Sequence, residues 1–99
     1  MILEIATICI HPGHQAAFES AVSQAVPLFL RAKGCLSVQL LGCIEEPSYY
    51  RLHVQWQTVE NHTVDFRSSS DFQLWRDLVG HFFATPPQVI HARAVQDAA

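Results

Sequence analysis

Charged residues are scarce in this chain of 99 residues. Only 15% are Asp, Glu, Lys or Arg, whereas about 25% is usual in globular domains. Hydrophobic residues make up 49% of the chain. The net charge is −3, and the basic residues form no cluster in the sequence. A nucleic-acid-binding surface needs such a cluster, so we expect no nucleic-acid partner. A small chain with few charges has surface to bury against a partner, so we expect an oligomer.

Paired cysteines and long apolar runs are also missing. Cys9, Cys35 and Cys43 form no CxxC motif, and each lies in an apolar run, which is typical of buried, reduced thiols in a cytosolic protein. No apolar run has the length of a membrane span, and Met1–Glu4 lacks the basic residues of a signal peptide. We therefore expect one domain over residues 1–99 in a soluble, cytoplasmic protein with no membrane partner.

Motifs for nucleotide, zinc or serine-nucleophile chemistry are absent. The chain contains no GxGxxG, P-loop, GxSxG or HExxH sequence. His11 and His14 flank a Pro-Gly turn, which is a weak metal spacing and is more typical of an exposed turn. The sequence thus predicts neither a metal nor a cofactor.

The periodicity of the apolar residues predicts an α+β fold. Alternating or β-branched runs predict strands at Ile2–Ile10, Cys35–Ile44, Tyr49–Trp56 and Gln88–Val95. Helical spacing predicts helices over 14–33, 59–67 and 71–83. The order β-α-β-β-α-β is that of the ferredoxin-like fold, an antiparallel four-stranded sheet with the helices on one face.

Several residues predict where the helices begin, bend and end. Pro27 should kink the first helix or split it, and Gly34 is a natural stop after it. Thr58 is a candidate N-cap of the second helical segment, and Asp71, or Ser70 before it, is a candidate N-cap of the third.

The sheet face without helices should be partly polar and partly apolar, because its residues would be Ser37, Gln39, Arg51, His53 and Gln55, with Leu3 or Ile5, Cys35 and Leu41. Such a face is too polar for a core and too apolar to be wholly solvated. Packing of two sheets face to face would cover it, which predicts a symmetric homodimer.

Two histidines are candidates for proton transfer, a role that a near-neutral pKa suits. His62 shares the inner stripe of its helix with Val59 and Phe66, and His91 lies in the last strand beside Val89. If that strand face meets the helices, His91 could approach His62. The alternatives are a core histidine that fixes the helix to the sheet for His62, and a buried polar or interface residue for His91.

An aromatic stripe with one arginine follows on the last helix. Phe72, Trp75, Val79 and Phe83 recur at helical spacing, and Arg76 lies beside them. This pattern fits an ordinary core. It also fits an aromatic-lined pocket in which a cation holds an enolate, carboxylate or quinone oxygen.

The chain resembles the antibiotic biosynthesis monooxygenase family of dimeric α/β-barrel proteins over nearly its whole length. The residues that support this resemblance are His11-Pro12-Gly13, Gly34-Cys35-Leu36, Trp56, Glu60-x-His62-Thr63, Phe66-Arg67-x-Ser69, Phe72-x-x-Trp75-Arg76, Phe82-Phe83 and Pro86-Pro87-x-Val89-x-His91. The resemblance implies a homodimer and a pocket in each subunit between sheet and helices. It covers cofactor-free monooxygenases of phenols and quinols, haem-degrading enzymes and signal-molecule isomerases.

Haem degradation is disfavoured because the residues that branch uses are missing. The haem-degrading branch uses an Asn on the first strand, a Trp on the helical segment and a downstream His ligand. This chain has Ala6 near the Asn position, Asp65 or Phe66 near the Trp position, and Trp75 or Arg76 near the His position.

The resemblance therefore implies a cofactor-independent monooxygenase of small aromatic or quinol-type substrates. His62 would be the base, and Arg76 or His91 would stabilise the substrate anion. The residues expected to bind the substrate are Trp56, Phe66, Phe72, Trp75 and Phe83. The alternative is a non-catalytic dimer that binds a small molecule or has a regulatory role.

Overall fold

Four antiparallel strands form one sheet in the computed structural model, which describes residues 1–98. The strands are β1 (Ile2–Cys9), β2 (Cys35–Gly42), β3 (Tyr49–Trp56) and β4 (Gln88–Ala92). They lie in the order β2-β3-β1-β4, so the first and last strands are neighbours. This arrangement confirms the predicted ferredoxin-like α+β fold. The bounds of β3 match the prediction, whereas β1, β2 and β4 end one to three residues earlier than predicted.

The helical segments connect the strands. Helix α1 (Gln15–Leu30) joins β1 to β2. Between β3 and β4 the chain forms a π-helix (Asn61–Phe66), helix α2 (Ser70–Val79) and a 3₁₀ turn (Gly80–Phe82). Helix α2 therefore begins one residue before the predicted segment 71–83 and ends four residues before the end of that segment.

Helix α1 is continuous, so the predicted split at Pro27 is wrong. Pro27 lies in the last turn of the helix on its exposed side, where a lost backbone donor affects no buried group. Gly34 is not the residue that directly follows the helix end. It has φ +78° in the turn in which the Cys35 N–H donates to the Ala32 carbonyl oxygen at 3.1 Å.

Short polar side chains cap the π-helix and helix α2, which follow β3, whereas α1 begins after His14 without a side-chain cap. Thr58 acts as predicted, because its Oγ1 accepts from the Asn61 N–H at 3.2 Å while Asn61 Oδ1 accepts from the Thr58 N–H at 3.1 Å. Ser69 caps α2 and accepts from the Phe72 N–H at 3.2 Å. The prediction of Ser70 or Asp71 as this cap was wrong by one or two residues.

The core lies between the helices and one face of the sheet. The strand residues that face it are buried: Ala6, Ile8, Tyr50, Leu52, Val54 and Trp56. On the opposite face, Leu41 and Ile90 are 39% and 59% exposed. Cys35 does not belong to that open face, because a β-bulge between Cys35 and Ser37 turns its side chain to the core.

Candidate functional site

A cavity of about 520 Å³ lies between the sheet and the helical segments that precede β4. Its wall is mostly apolar, and its volume is in the range of small-molecule sites. The aromatic side chains in the wall are Phe29, Phe66, Phe72, Trp75 and Phe83. The titratable side chains in the wall are Glu4, His62, Arg67 and Arg76.

Glu4 and His62 form a buried polar pair in this wall. Glu4 is 4% exposed and His62 is 3% exposed. Alternation along β1 turns Glu4 to the core face with Ala6 and Ile8. Glu4 Oε1 lies 3.4 Å from His62 Nε2 and accepts a hydrogen bond from the Trp56 indole N–H at 3.0 Å. The indole also stacks on the imidazole, with ring centroids 5.6 Å apart and planes at 19°.

His91 extends this pair into a line of three groups. The pairing of β1 with β4 places His91 directly opposite Glu4 on the same face of the sheet. His91 Nε2 lies 2.8 Å from His62 Nδ1. His91 is only partly buried, and it does not line the cavity. The line Glu4–His62–His91 therefore leads from the cavity wall toward the protein surface.

The line can hold its protons in two ways. His62 can donate from Nε2 to Glu4 and accept at Nδ1 from His91. Alternatively, a protonated Glu4 can donate to Nε2, and Nδ1 then donates to His91. Each arrangement gives both ring nitrogens of His62 a partner. The geometry is thus suited to moving a proton along the line.

Burial favours the uncharged form of each group in this line. Desolvation raises the pKa of Glu4 to about 7, against the lowering effects of the Trp56 hydrogen bond and the Arg67 charge. Desolvation, with the charges of Arg67 and His91, lowers the pKa of His62 to about 4. Desolvation and Arg67 also lower the pKa of His91. Near neutral pH, therefore, the carboxyl group titrates and the imidazoles stay neutral.

The π-helix determines where Arg67 lies. The Arg67 N–H donates to the His62 carbonyl oxygen at 3.1 Å, which is the i to i+5 bond of this helix type. Such a turn holds one more residue than an α-turn. It buries both His62 and Phe66 while leaving Arg67 exposed at the cavity. Predicting an ordinary helix over 59–67 missed this feature.

Most of the predicted site residues lie around this cavity. His62, Arg76, Phe66, Phe72, Trp75 and Phe83 line it. Trp56 lies behind His62 and Glu4 instead of in the wall, and His91 reaches the cavity only through His62.

Two residues of the wall, Glu4 and Arg67, were missed. Glu4 is the only charged residue of the apolar run at 2–10, and its alternation with Ala6 and Ile8 was a signal for the core face. Arg67 gave no such signal, because its position depends on the π-helix.

Two further features of the described residues concern metal binding and membrane insertion. Residues 1–98 contain no group of three or more His, Cys, Asp or Glu side chains placed to hold a metal ion. No helix among these residues is both long enough and apolar enough to cross a bilayer.

Comparison with known proteins places the chain in a family. Residues 1–78 match the family model of antibiotic biosynthesis monooxygenase. The chain belongs to the antibiotic biosynthesis monooxygenase family. It is 39% identical over 95 residues to the Bacillus subtilis (strain 168) protein YczJ, which is described as uncharacterised, and the match covers 96% of this chain and 100% of YczJ.

Solved structures of the family share the fold. A Bordetella bronchiseptica protein named for antibiotic biosynthesis monooxygenases is 57% identical, with a TM-score of 0.94 over 96% of this chain and 97% of that chain. SnoaB, a cofactor-independent oxygenase from Streptomyces nogalater, has a TM-score of 0.83 over 97% of this chain and 94% of its own. Its identity is only 17%, so this second similarity supports the fold alone.

Proposed function

We propose that this protein is a cofactor-independent monooxygenase of small phenols or quinols. The observation that carries the proposal is the pair Glu4 and His62, buried side by side in the wall of an aromatic-lined cavity of about 520 Å³. A single aromatic ring fits such a volume. Family membership supports this proposal, and SnoaB, which shares the fold, is a cofactor-independent oxygenase.

The reaction needs a proton acceptor and no bound redox group. Loss of a phenolic proton gives an electron-rich anion, which reduces O₂ and forms a C–O bond at a ring carbon that carries hydrogen. The hydroperoxide loses that hydrogen as a proton, its O–O bond breaks, and water leaves. In total, one phenol and one O₂ give one quinone and one water. The substrate supplies all the electrons.

The base in this proposal is the pair Glu4 and His62, with the proton held finally by Glu4. A base works best when its pKa is near the working pH, and the pKa of Glu4 is raised to about 7 by burial. His62, with a pKa lowered to about 4, acts as the neutral relay to the carboxylate. His91 orients His62 and offers a route for the proton to solvent. Arg76 and Arg67 line the same cavity, and their positive charge favours an anionic substrate.

We also propose that the protein works as a homodimer that packs the open sheet faces together. Exposed apolar side chains on this face, Leu41 and Ile90, would gain burial from such packing. Ile90 lies directly opposite Ile5 in the sheet. The substitution Ile90→Asp should shift the protein from dimer to monomer in sedimentation velocity. An unchanged sedimentation coefficient of Ile90→Asp would show that this sheet face is not the dimer interface.

Oxygen consumption tests the proposed activity. We expect the wild type to consume O₂ on at least one member of a phenol and quinol panel, with catalase present to exclude peroxide-forming autoxidation. Glu4→Gln and His62→Ala should each lower the rate at least about 100-fold, which is the usual contribution of a general base. His11→Ala, in an exposed turn, is the matched control and should keep the rate. Undiminished oxygen consumption by His62→Ala would refute the base role of the pair.

A non-catalytic binding or regulatory dimer is the second candidate. The observation that favours it is that, within residues 1–98, no buried side-chain nitrogen or oxygen lacks a hydrogen-bond partner. A fully satisfied cluster of Glu4, His62 and His91 can serve structure alone. Aromatic ligands that raise the melting temperature without any oxygen consumption would support this second function.

A further inference from the structure

The charges in the cavity wall point to the chemical class of ligand. We propose that this cavity selects aromatic ligands that carry a carboxylate, which Arg67 and Arg76 hold while the ring lies in the apolar interior. The inference rests on the proposed use of the cavity for an aromatic molecule, and it adds a permanent negative charge on that molecule as a requirement.

Positive charge is concentrated in this wall although the chain as a whole is acidic. The chain has six Lys and Arg against nine Asp and Glu. Among residues 1–98, Arg67 and Arg76 are the two basic residues that line the cavity, and Glu4 is the one acidic residue that does. Glu4 is deeply buried, and its environment favours the neutral acid. The cavity therefore presents a net positive charge to a ligand.

Two of the carboxylates near these arginines in sequence, Asp65 and Asp71, do not line the cavity. Asp65 and Asp71 line a separate, smaller groove behind Phe66. Asp71 is paired there with Arg31, through contacts of 2.7 and 2.6 Å. Among residues 1–98, neither Arg67 nor Arg76 has a carboxylate within salt-bridge distance. Both guanidinium groups are thus left to interact with a ligand.

The two arginines are exposed, whereas Glu4 and His62 are buried deep in the wall. The Arg76 guanidinium carbon lies 6.0 Å from the centroid of the Phe72 ring, which is itself part of the wall. A guanidinium group binds a carboxylate through two parallel hydrogen bonds and stacks well on an aromatic ring. A ligand with a ring between a carboxylate and a hydroxyl group therefore matches the cavity, with the hydroxyl toward Glu4 and His62.

A carboxylate fits these arginines better than a phenol does. A carboxylate is ionised throughout the neutral range, but a phenol with a pKa near 10 becomes an anion there only by transferring its proton. The arginines at the solvent side bind the permanent charge, and the buried pair handles the proton. This division explains why the wall has exposed cations in addition to its buried acid-base groups.

Binding of a matched ligand pair tests the inference without requiring turnover. We would measure the affinities of 4-hydroxybenzoate and its methyl ester by isothermal titration calorimetry at low and at high salt. The ester has the same ring and hydroxyl group but no charge. We expect the acid to bind about tenfold more tightly than the ester at low salt, as for a charge-assisted contact, and this advantage should shrink at high salt.

Variants assign the effect to the two arginines. Arg67→Gln and Arg76→Gln should each weaken binding of the acid about tenfold and leave binding of the ester unchanged. Arg67→Lys and Arg76→Lys keep the charge and should retain most of the preference. Lys33→Gln removes the same charge outside the cavity and is the matched control.

The inference is overturned if the ester binds as tightly as the acid, if the glutamine variants weaken both ligands equally, or if neither ligand binds at millimolar concentration. Its failure is distinct from that of the proposed monooxygenase function. A protein that binds the acid selectively but consumes no O₂ would keep this inference and lose the oxygenase activity. A protein that consumes O₂ on neutral quinols and shows no preference for the acid would do the reverse.

Discussion

Replacing Glu4 with glutamine should make the protein more stable than the wild type at alkaline pH. The amide oxygen of Glu4→Gln can still accept from the Trp56 indole N–H, as Glu4 Oε1 does at 3.0 Å, and can still lie beside His62 Nε2, which is 3.4 Å from Glu4 Oε1. The substitution therefore keeps the shape and the hydrogen bonds of the neutral acid. It removes only the ability of this buried group to ionise.

The size of the effect follows from the two pKa values of Glu4. Burial raises its pKa from 4.5 in the unfolded chain to about 7 in the folded protein. Between these values the folded state holds a proton that the unfolded state has lost. The contribution of Glu4 to stability is therefore fully present below pH 4.5 and is lost as the pH rises to about 7. This difference in pKa corresponds to about 3 kcal/mol of unfolding free energy, which is a large fraction of the stability of a domain of this size.

Urea unfolding followed by tryptophan fluorescence would measure this difference from pH 4.5 to pH 8 at one protein concentration. We expect the stability advantage of Glu4→Gln over the wild type to grow from near zero at the acid end to about 3 kcal/mol at pH 8. The melting temperature should then rise by about 10 °C or more at pH 8. Glu46→Gln, in the exposed β2–β3 turn, is the control and should follow the wild type. A constant difference between Glu4→Gln and the wild type across this range would refute burial as the cause of the raised pKa.

Three further substitutions test the turn at Gly34, the N-cap of α2 and the cavity itself. Gly34→Ala should cost about 2–4 kcal/mol in thermal unfolding, because φ is +78° and an added Cβ would clash with Asn61 Oδ1; a stable variant would show that this turn can rearrange. Ser69→Ala should cost about 1 kcal/mol through loss of the α2 cap, whereas Ser70→Ala, one residue later, should cost less; equal costs would contradict the cap assignment. Ala6→Leu should fill part of the cavity and reduce 4-hydroxybenzoate binding more than tenfold while costing about 1–3 kcal/mol of stability; unchanged binding would place the ligand elsewhere.

The sequence alone determined the fold class and much of the cavity wall. Alternation in Tyr49–Trp56 and helical spacing in 14–33 are local signals, and each reports which face of its own element is apolar. The same spacing placed His62, Phe66, Phe72 and Trp75 on the inner side of their helical segments, and all four line the cavity. These predictions succeeded because burial of one apolar face is decided within a few residues of chain.

Only the tertiary structure decided which groups meet. The antiparallel pairing of β1 with β4 joins residues at opposite ends of the chain, and it places His91 opposite Glu4. The π-helix and the β-bulge at Cys35 each add a residue to a regular element, and they change the faces of Arg67 and Cys35. Local periodicity does not encode such register, because register depends on packing between distant segments. For that reason the sequence identified His62 as a candidate, and the fold supplied its partner Glu4.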